Sequence, residues 1–181
     1  RILAYREPER FGAIIAAITA VTIEYLAGQI AAGAEAVQLF DSWAGSLAPG
    51  EFERWVIAPT AQIVTALRAR FPAVPVIGFP KGAGEKLVPY ARETGVGAVA
   101  LDETVDPVWA ARALPRHLVI QGNLDPLLLI AGGAQMTARA TAILAAFADR
   151  PHVFNLGHGI DQTTPPDNVA RLVEVVRGWT G

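Results

Sequence analysis

Five short apolar runs recur along the chain, and each stops at a glycine, a proline or an acidic residue. Runs of this length that are rich in Val, Ile and Leu predict buried β-strands. They span residues 36–40, 74–79, 98–101, 118–122 and 153–156. The segments between them place apolar residues near a 3.6-residue period. This pattern predicts helices at 8–33, 49–71, 84–94, 106–114, 136–148 and 167–179.

The alternation of strands and helices predicts an α/β fold with a parallel sheet covered by helices. A (β/α) barrel and a doubly wound sheet both fit this order. No G-x-G-x-x-G follows the first strand, which weighs against a dinucleotide-binding unit. A closed barrel needs eight units and about 250 residues, so five units indicate either an incomplete barrel or an open sheet. No linker or low-complexity stretch indicates a second domain.

Polar residues follow every predicted strand, at the end where barrels place their sites. His158 is the strongest candidate, because Gly157 and Gly159 leave room beside its imidazole for a ligand. The other candidates also have ordinary structural interpretations as helix caps, turns or a solvated lysine. They are Asp41 and Ser42 after the first strand, Lys81 after the second, Asp102 after the third, and Asn123 and Asp125 after the fourth. His117 and His152 precede strands and are predicted to be structural.

Composition narrows the classes of function. The chain has 181 residues, 52% hydrophobic and 18% charged, with a formal net charge of -2 and no basic block. This charge predicts no nucleic-acid partner. The high apolar fraction predicts that part of the surface meets another surface. No uninterrupted run of eighteen apolar residues appears and no signal-peptide pattern is seen, so we expect no membrane span and a cytoplasmic location.

Two common catalytic schemes lack their residues. The chain has no cysteine and only three scattered histidines, so neither a thiolate site nor a clustered zinc site is expected. A Ser–His–Asp hydrolase of the α/β type carries its serine in G-x-S-x-G, whereas Ser42 lies between Asp41 and Trp43.

Four motifs, at residues 33–45, 78–84, 121–126 and 154–160, resemble the carboxyl-terminal part of uroporphyrinogen decarboxylases. Their order and spacing also resemble that family, over the whole chain. The resemblance implies a partial (β/α)8 TIM barrel with about five of the eight strand–helix units. Residues 1–181 would be the carboxyl-terminal portion of a single barrel domain, with the amino-terminal portion absent. The resemblance also implies a homodimer that needs no cofactor and no metal.

The activity that the resemblance implies is removal of the carboxyl groups from the four acetate side chains of uroporphyrinogen III. The product would be coproporphyrinogen III, in porphyrin and haem biosynthesis. Ser42 and His158 would bind the tetrapyrrole substrate through its carboxylates, since a hydroxyl and an imidazole can both donate hydrogen bonds to them. The family's catalytic aspartate and arginines, and a tyrosine, belong to amino-terminal motifs that this chain lacks. No catalytic residue is therefore assigned within it.

Two other functions are also compatible with the sequence. One is a cobalamin-related methyltransferase of the same barrel superfamily, which the absence of cysteine argues against. The other is a half-barrel that binds a tetrapyrrole without releasing carbon dioxide. An incomplete barrel would leave two sheet edges unpaired. We expect either the amino-terminal segment or a second copy of the chain to cover them.

Overall fold

The computed structural model describes residues 2–181, which form five strands and nine α-helices. The strands are β1 (Val37–Asp41), β2 (Val76–Pro80), β3 (Ala98–Ala100), β4 (Val119–Gln121) and β5 (His152–Val153). The helices are α1 (Ile2–Arg6), α2 (Pro8–Ala31), α3 (Pro49–Phe52), α4 (Ala58–Arg70), α5 (Leu87–Glu93), α6 (Pro107–Ala113), α7 (Pro126–Ala131), α8 (Gly133–Ala146) and α9 (Pro166–Arg177). Short 3-10 turns lie at Ala44–Ser46 and Gly84–Lys86, and a π-helical turn at Glu53–Ile57 joins α3 to α4.

The five strands belong to one sheet in the order β1-β2-β3-β4-β5. β1 pairs with β2 in parallel, with Val37 opposite Val76 and Asp41 opposite Pro80. β4 pairs with β5 in parallel, with Ile120 opposite His152. The predicted α/β class is therefore confirmed. The strand order follows the chain without reversal, so it lacks the switch point of a doubly wound sheet and agrees with a partial (β/α)8 barrel.

The chain divides into two compact units, one ending at Ala98 and the other beginning at Val99. In the first unit, α2 packs against α4. The predicted helix at 49–71 is present as α3, the π-helical turn and α4 in succession. Its core residues Phe52 and Leu67 are almost completely buried.

The apolar face that the sequence pattern predicts for α2 is present, but it is open. Ile18, Val21 and Tyr25 are 57%, 70% and 64% exposed. The buried side of the helix instead carries Leu26 and Ile30. The apolar period correctly predicted which residues of α2 share a face. Within the described residues, that face stays exposed to solvent. By length and composition alone, α2 could also cross a membrane, a property that core helices of globular proteins share.

The second unit is built around α8, whose Met136, Ala140 and Ile143 are fully buried. Each of its two shorter helices begins at an aspartate cap followed by proline. Asp106 accepts a 2.7 Å hydrogen bond from the Trp109 amide at the start of α6. Asp125 accepts one of 2.8 Å from the Leu127 amide at the start of α7. The sequence pattern predicted α6 but not α7.

Candidate functional site

Ser42 is exposed on the turn that directly follows β1, in the first unit. We call residues 42–47 the Ser42 turn. The Asp41 carboxylate accepts a 3.2 Å hydrogen bond from the Trp43 amide, and the Ser46 hydroxyl donates one of 2.7 Å to the Trp43 carbonyl. The turn is thus closed by side chains on both sides of Trp43, and it presents the Ser42 hydroxyl at the carboxyl end of its strand, as predicted.

The Ser42 turn also rests on the loop that follows β2. The Gly45 amide donates a 2.9 Å hydrogen bond to the Lys81 carbonyl, and the Lys81 amide donates one of 3.0 Å to the Asp41 carbonyl. A β-carbon on Gly45 would overlap the backbone of Gly82. Glycine at position 45 is therefore required for the two loops to approach this closely.

An aromatic pair flanks the Ser42 turn. Phe40 lies two residues before Ser42 and is 70% exposed. Its ring packs edge-on against that of Phe79, with ring centroids 5.8 Å apart. Ser42 is therefore accompanied by an exposed apolar ring of the kind that binding sites use for the non-polar body of a ligand.

Asp41 lies on the wall of a cleft of about 310 Å³ formed by α2, β1 and α4. Burial raises the pKa of its carboxyl group, while hydrogen bonds from the Trp43 and Ala44 amides act in the opposite direction. Tyr90 lines the same cleft, and its pKa is raised by burial and by the charge of Asp41. Asp41 thus has a structural role in the Ser42 turn, consistent with its interpretation as a turn residue.

His158 is exposed on the turn that follows β5, in the second unit. The backbone before it is fixed, because Leu124 and Leu156 form a parallel bridge and the Gly157 amide donates a 2.7 Å hydrogen bond to the Leu124 carbonyl. The two flanking glycines differ. A β-carbon on Gly157 would overlap the Glu103 amide, whereas nothing lies within 4 Å of one on Gly159. Gly157 therefore serves a backbone contact, whereas the position of Gly159 opens to free space.

Asp102 and Asn123 are buried and join the loops after β3 and β4. The Asp102 carboxylate accepts a 2.9 Å hydrogen bond from the Thr104 amide and another from the Thr104 hydroxyl. The Asn123 amide group donates to the carbonyls of Asp102, at 2.8 Å, and Val105, at 2.7 Å. These contacts favour the structural interpretation of both residues.

His152 is the first residue of β5, so the prediction that it precedes the strand is wrong. His117 lies in the turn before β4 and does precede that strand. The His152 Nε2 atom forms a 2.7 Å hydrogen bond with the Gly122 carbonyl. Its ring packs against Phe147, with centroids 4.6 Å apart. Burial lowers the pKa of His152, and these contacts give it a role in holding β4 and β5 together.

Arg150 is a structural residue that the sequence pattern did not indicate. Its guanidinium donates hydrogen bonds to four carbonyls, that of Ala111 in the last turn of α6 and those of Leu114, Pro115 and Leu118 in the loop between α6 and β4. Burial lowers its pKa, as does the nearby charge of Arg116. Within residues 2–181, no group of three or more histidine, aspartate or glutamate side chains is arranged to hold a metal ion.

The structure thus places Ser42 after the first strand and His158 after the last, each at a carboxyl end where (β/α) barrels bind ligands. The family model for uroporphyrinogen decarboxylase (URO-D) matches residues 1–179. The chain therefore belongs to the uroporphyrinogen decarboxylase family.

Individual relatives agree with the family model. The chain is 67% identical to the uroporphyrinogen decarboxylase of Novosphingobium aromaticivorans over 180 residues, which cover 99% of this chain and 53% of that protein. It is 63% identical over 179 residues to that of Erythrobacter litoralis, covering 99% of this chain and 52% of the relative. It is 62% identical over 178 residues to that of Sphingopyxis alaskensis, covering 98% of this chain and 52% of the relative. The chain spans about half the length of the curated relatives it matches.

Proposed function

We propose that this chain is the carboxyl-terminal portion of a uroporphyrinogen decarboxylase, a carboxy-lyase of porphyrin and haem biosynthesis. The observation that carries the proposal is the 67% identity to a uroporphyrinogen decarboxylase over 99% of the chain. The family match favours this activity over the cobalamin-related methyltransferase. The complete enzyme would convert uroporphyrinogen III into coproporphyrinogen III, in the cytoplasm, as a homodimer that uses no cofactor.

In this proposal Ser42 and His158 bind substrate carboxylates. Both side chains are exposed at strand ends, and hydrogen bonds to an ionised acceptor are stronger than neutral ones. In the reaction, the bond between each acetate methylene and its carboxyl carbon breaks. Carbon dioxide leaves, and the methylene carbon takes up a proton to become a methyl group. The pyrrole ring is protonated first, so that it can accept the electron pair of the breaking bond, and it releases that proton once the methyl group has formed. Groups in the amino-terminal portion of the family supply the charge and the protons. Residues of this chain orient the substrate.

We further propose that the amino-terminal portion completes the barrel and covers the open face of α2. The exposed side chains of Ile18 and Tyr25 and the cleft beside β1 support this assignment, because an apolar surface of this kind requires a partner. The edge strand β1 also offers unpaired backbone groups to another strand.

The test is turnover by the full-length protein. Reduced uroporphyrinogen III is incubated with the enzyme, and the products are oxidised and separated by the number of carboxyl groups they retain. The wild-type protein should accumulate the four-carboxyl product. Ser42→Ala and His158→Ala should each raise KM by roughly tenfold or more, the effect of losing one charge-assisted hydrogen bond. A full-length protein that binds the porphyrinogen but releases no carbon dioxide would refute the proposed activity and favour the binding-only alternative.

A further inference from the structure

The side chain of Lys86 reaches the far end of the Ser42 turn. It lies at the end of the 3-10 turn Gly84–Lys86, in the segment after β2. Its Nζ atom donates a 3.0 Å hydrogen bond to the Gly45 carbonyl and one of 2.7 Å to the Leu47 carbonyl. The same atom lies 5.2 Å from the ring centroid of Phe52, a distance at which a cation and an aromatic ring attract each other.

These contacts are more than ordinary surface contacts. Lys86 is half-buried, and hydrogen bonds from a charged donor are stronger than neutral ones. Fixing a flexible lysine stem costs side-chain entropy, which two hydrogen bonds and the Phe52 contact offset. Both acceptors lie on the carboxyl side of the Ser42 turn. Asp41 holds the opposite side through the Trp43 amide, so the turn is secured at both ends.

We propose that Lys86 is a positioning residue for Ser42: it holds the Ser42 turn in the conformation in which the Ser42 hydroxyl meets a substrate carboxylate. The inference rests on the proposed role of Ser42 as a substrate contact. It goes beyond that role because it assigns to Lys86 an effect that passes through the backbone of the turn. A hydrogen bond requires its donor within a few tenths of an ångström of the ideal distance, so a loosened turn lowers affinity even when Ser42 is intact.

The structural part of the inference is tested by hydrogen–deuterium exchange on the full-length protein. Lys86→Met keeps the length of the side chain and removes its donors, and Lys86→Arg keeps a cationic donor. Arg92→Met, at an exposed position on α5, is the matched control. Lys86→Met should accelerate exchange of residues 42–47 by roughly tenfold, whereas Lys86→Arg should retain part of the protection and the control should show no change. Unchanged exchange in Lys86→Met would overturn the inference.

The functional part is tested by a double-mutant cycle with Ser42→Ala, measured as KM and kcat for uroporphyrinogen III. Lys86→Met should raise KM roughly fivefold in the wild-type background and less than about twofold when Ser42 is already alanine, because its effect passes through the hydroxyl. An equal effect in both backgrounds would show that Lys86 does not act through Ser42.

The two proposals can also fail separately. If Ser42→Ala leaves KM unchanged, the substrate contact assigned to Ser42 is wrong and the positioning role falls with it, whatever the exchange data show. If Ser42→Ala raises KM but Lys86→Met does not, the substrate contact stands and only the inference about Lys86 is overturned.

Discussion

The amide nitrogen of Glu103 lies too close to Gly157 for a β-carbon to be added there. The turn that carries His158 therefore rests on the backbone that follows β3. Asn123 reinforces this region by donating hydrogen bonds to the carbonyls of Asp102 and Val105. The position of the His158 backbone is set by packing at this end of the sheet.

Gly157→Ala should displace the His158 turn, because its new methyl group meets a backbone atom that cannot move aside without disturbing the Asp102 loop. We expect KM for uroporphyrinogen III to rise by roughly tenfold and the free energy of unfolding to fall by about 1–3 kcal/mol. Steady-state kinetics and denaturant unfolding of the full-length protein measure both. Gly159→Ala is the matched control for the free energy of unfolding, since space is open there. An equal loss of stability in the two variants would contradict the close approach at Gly157.

His152 should make stability depend on pH. Burial holds its pKa below the ordinary value of 6.5, so the unfolded chain takes up a proton at a higher pH than the folded chain does. The stabilising contribution of neutral His152 is then complete above about pH 6.5 and decreases as the pH falls below it. Unfolding midpoints in urea between pH 5 and 8 should show this loss in the wild-type protein.

His152→Gln should weaken that pH dependence, and His117→Gln, at an exposed turn position, should preserve it. If His152→Gln leaves the slope of stability against pH unchanged, another group is responsible for the titration.

Arg150 should contribute more to stability than other arginines of the second unit. Arg150→Met leaves the carbonyls of the loop between α6 and β4 without their charged donor, and we expect a loss of about 2–4 kcal/mol in the free energy of unfolding. Arg112→Met, at an exposed position on α6, should change it by less than about 0.5 kcal/mol. Thermal and denaturant unfolding of the full-length variants provide the comparison. A loss for Arg150→Met as small as that of the control would show that the four hydrogen bonds do not persist in solution.

The open face of α2 should contribute more to binding of the amino-terminal half than to the stability of the unit that carries α2. A charge on this face costs little while the face is exposed to water, but it becomes a buried unpaired charge once a partner covers it. Ile18→Asp should therefore prevent a separately expressed amino-terminal half from binding this chain, as measured by co-purification and sedimentation.

The control is Ala20→Asp, an exposed substitution two residues along α2 and so about 200° around the helix. It should leave assembly intact. Binding by the Ile18→Asp chain that equals binding by the control would show that the amino-terminal half does not cover this face. If the isolated chain sediments as a dimer that Ile18→Asp converts to a monomer, a second copy of the chain is the partner.

The sequence was most informative about regular elements. All five strands were located to within a few residues, because short runs rich in Val, Ile and Leu that stop at Gly, Pro or an acidic residue differ from helical patterns. The helix at 49–71 was found as well, although its π-helical turn was not, since those five residues carry no sequence signal that distinguishes them from α-helix. α7 was missed because six residues are too few to show a period, and Asp125 and Pro126 also suit a turn.

The sequence by itself determined the family, the order of the elements and the placement of Ser42 and His158 after their strands, because motif order and apolar periodicity are local properties of the chain. Only the tertiary structure decided which face of α2 is open, that Gly157 serves a backbone contact, and that Lys86 reaches the carbonyls of Gly45 and Leu47. Such features depend on contacts between segments that are far apart in the sequence. The separation is about 40 residues for Lys86 and its two carbonyls, and 54 residues for Glu103 and Gly157. Packing distances of this kind leave no periodic signal in the sequence.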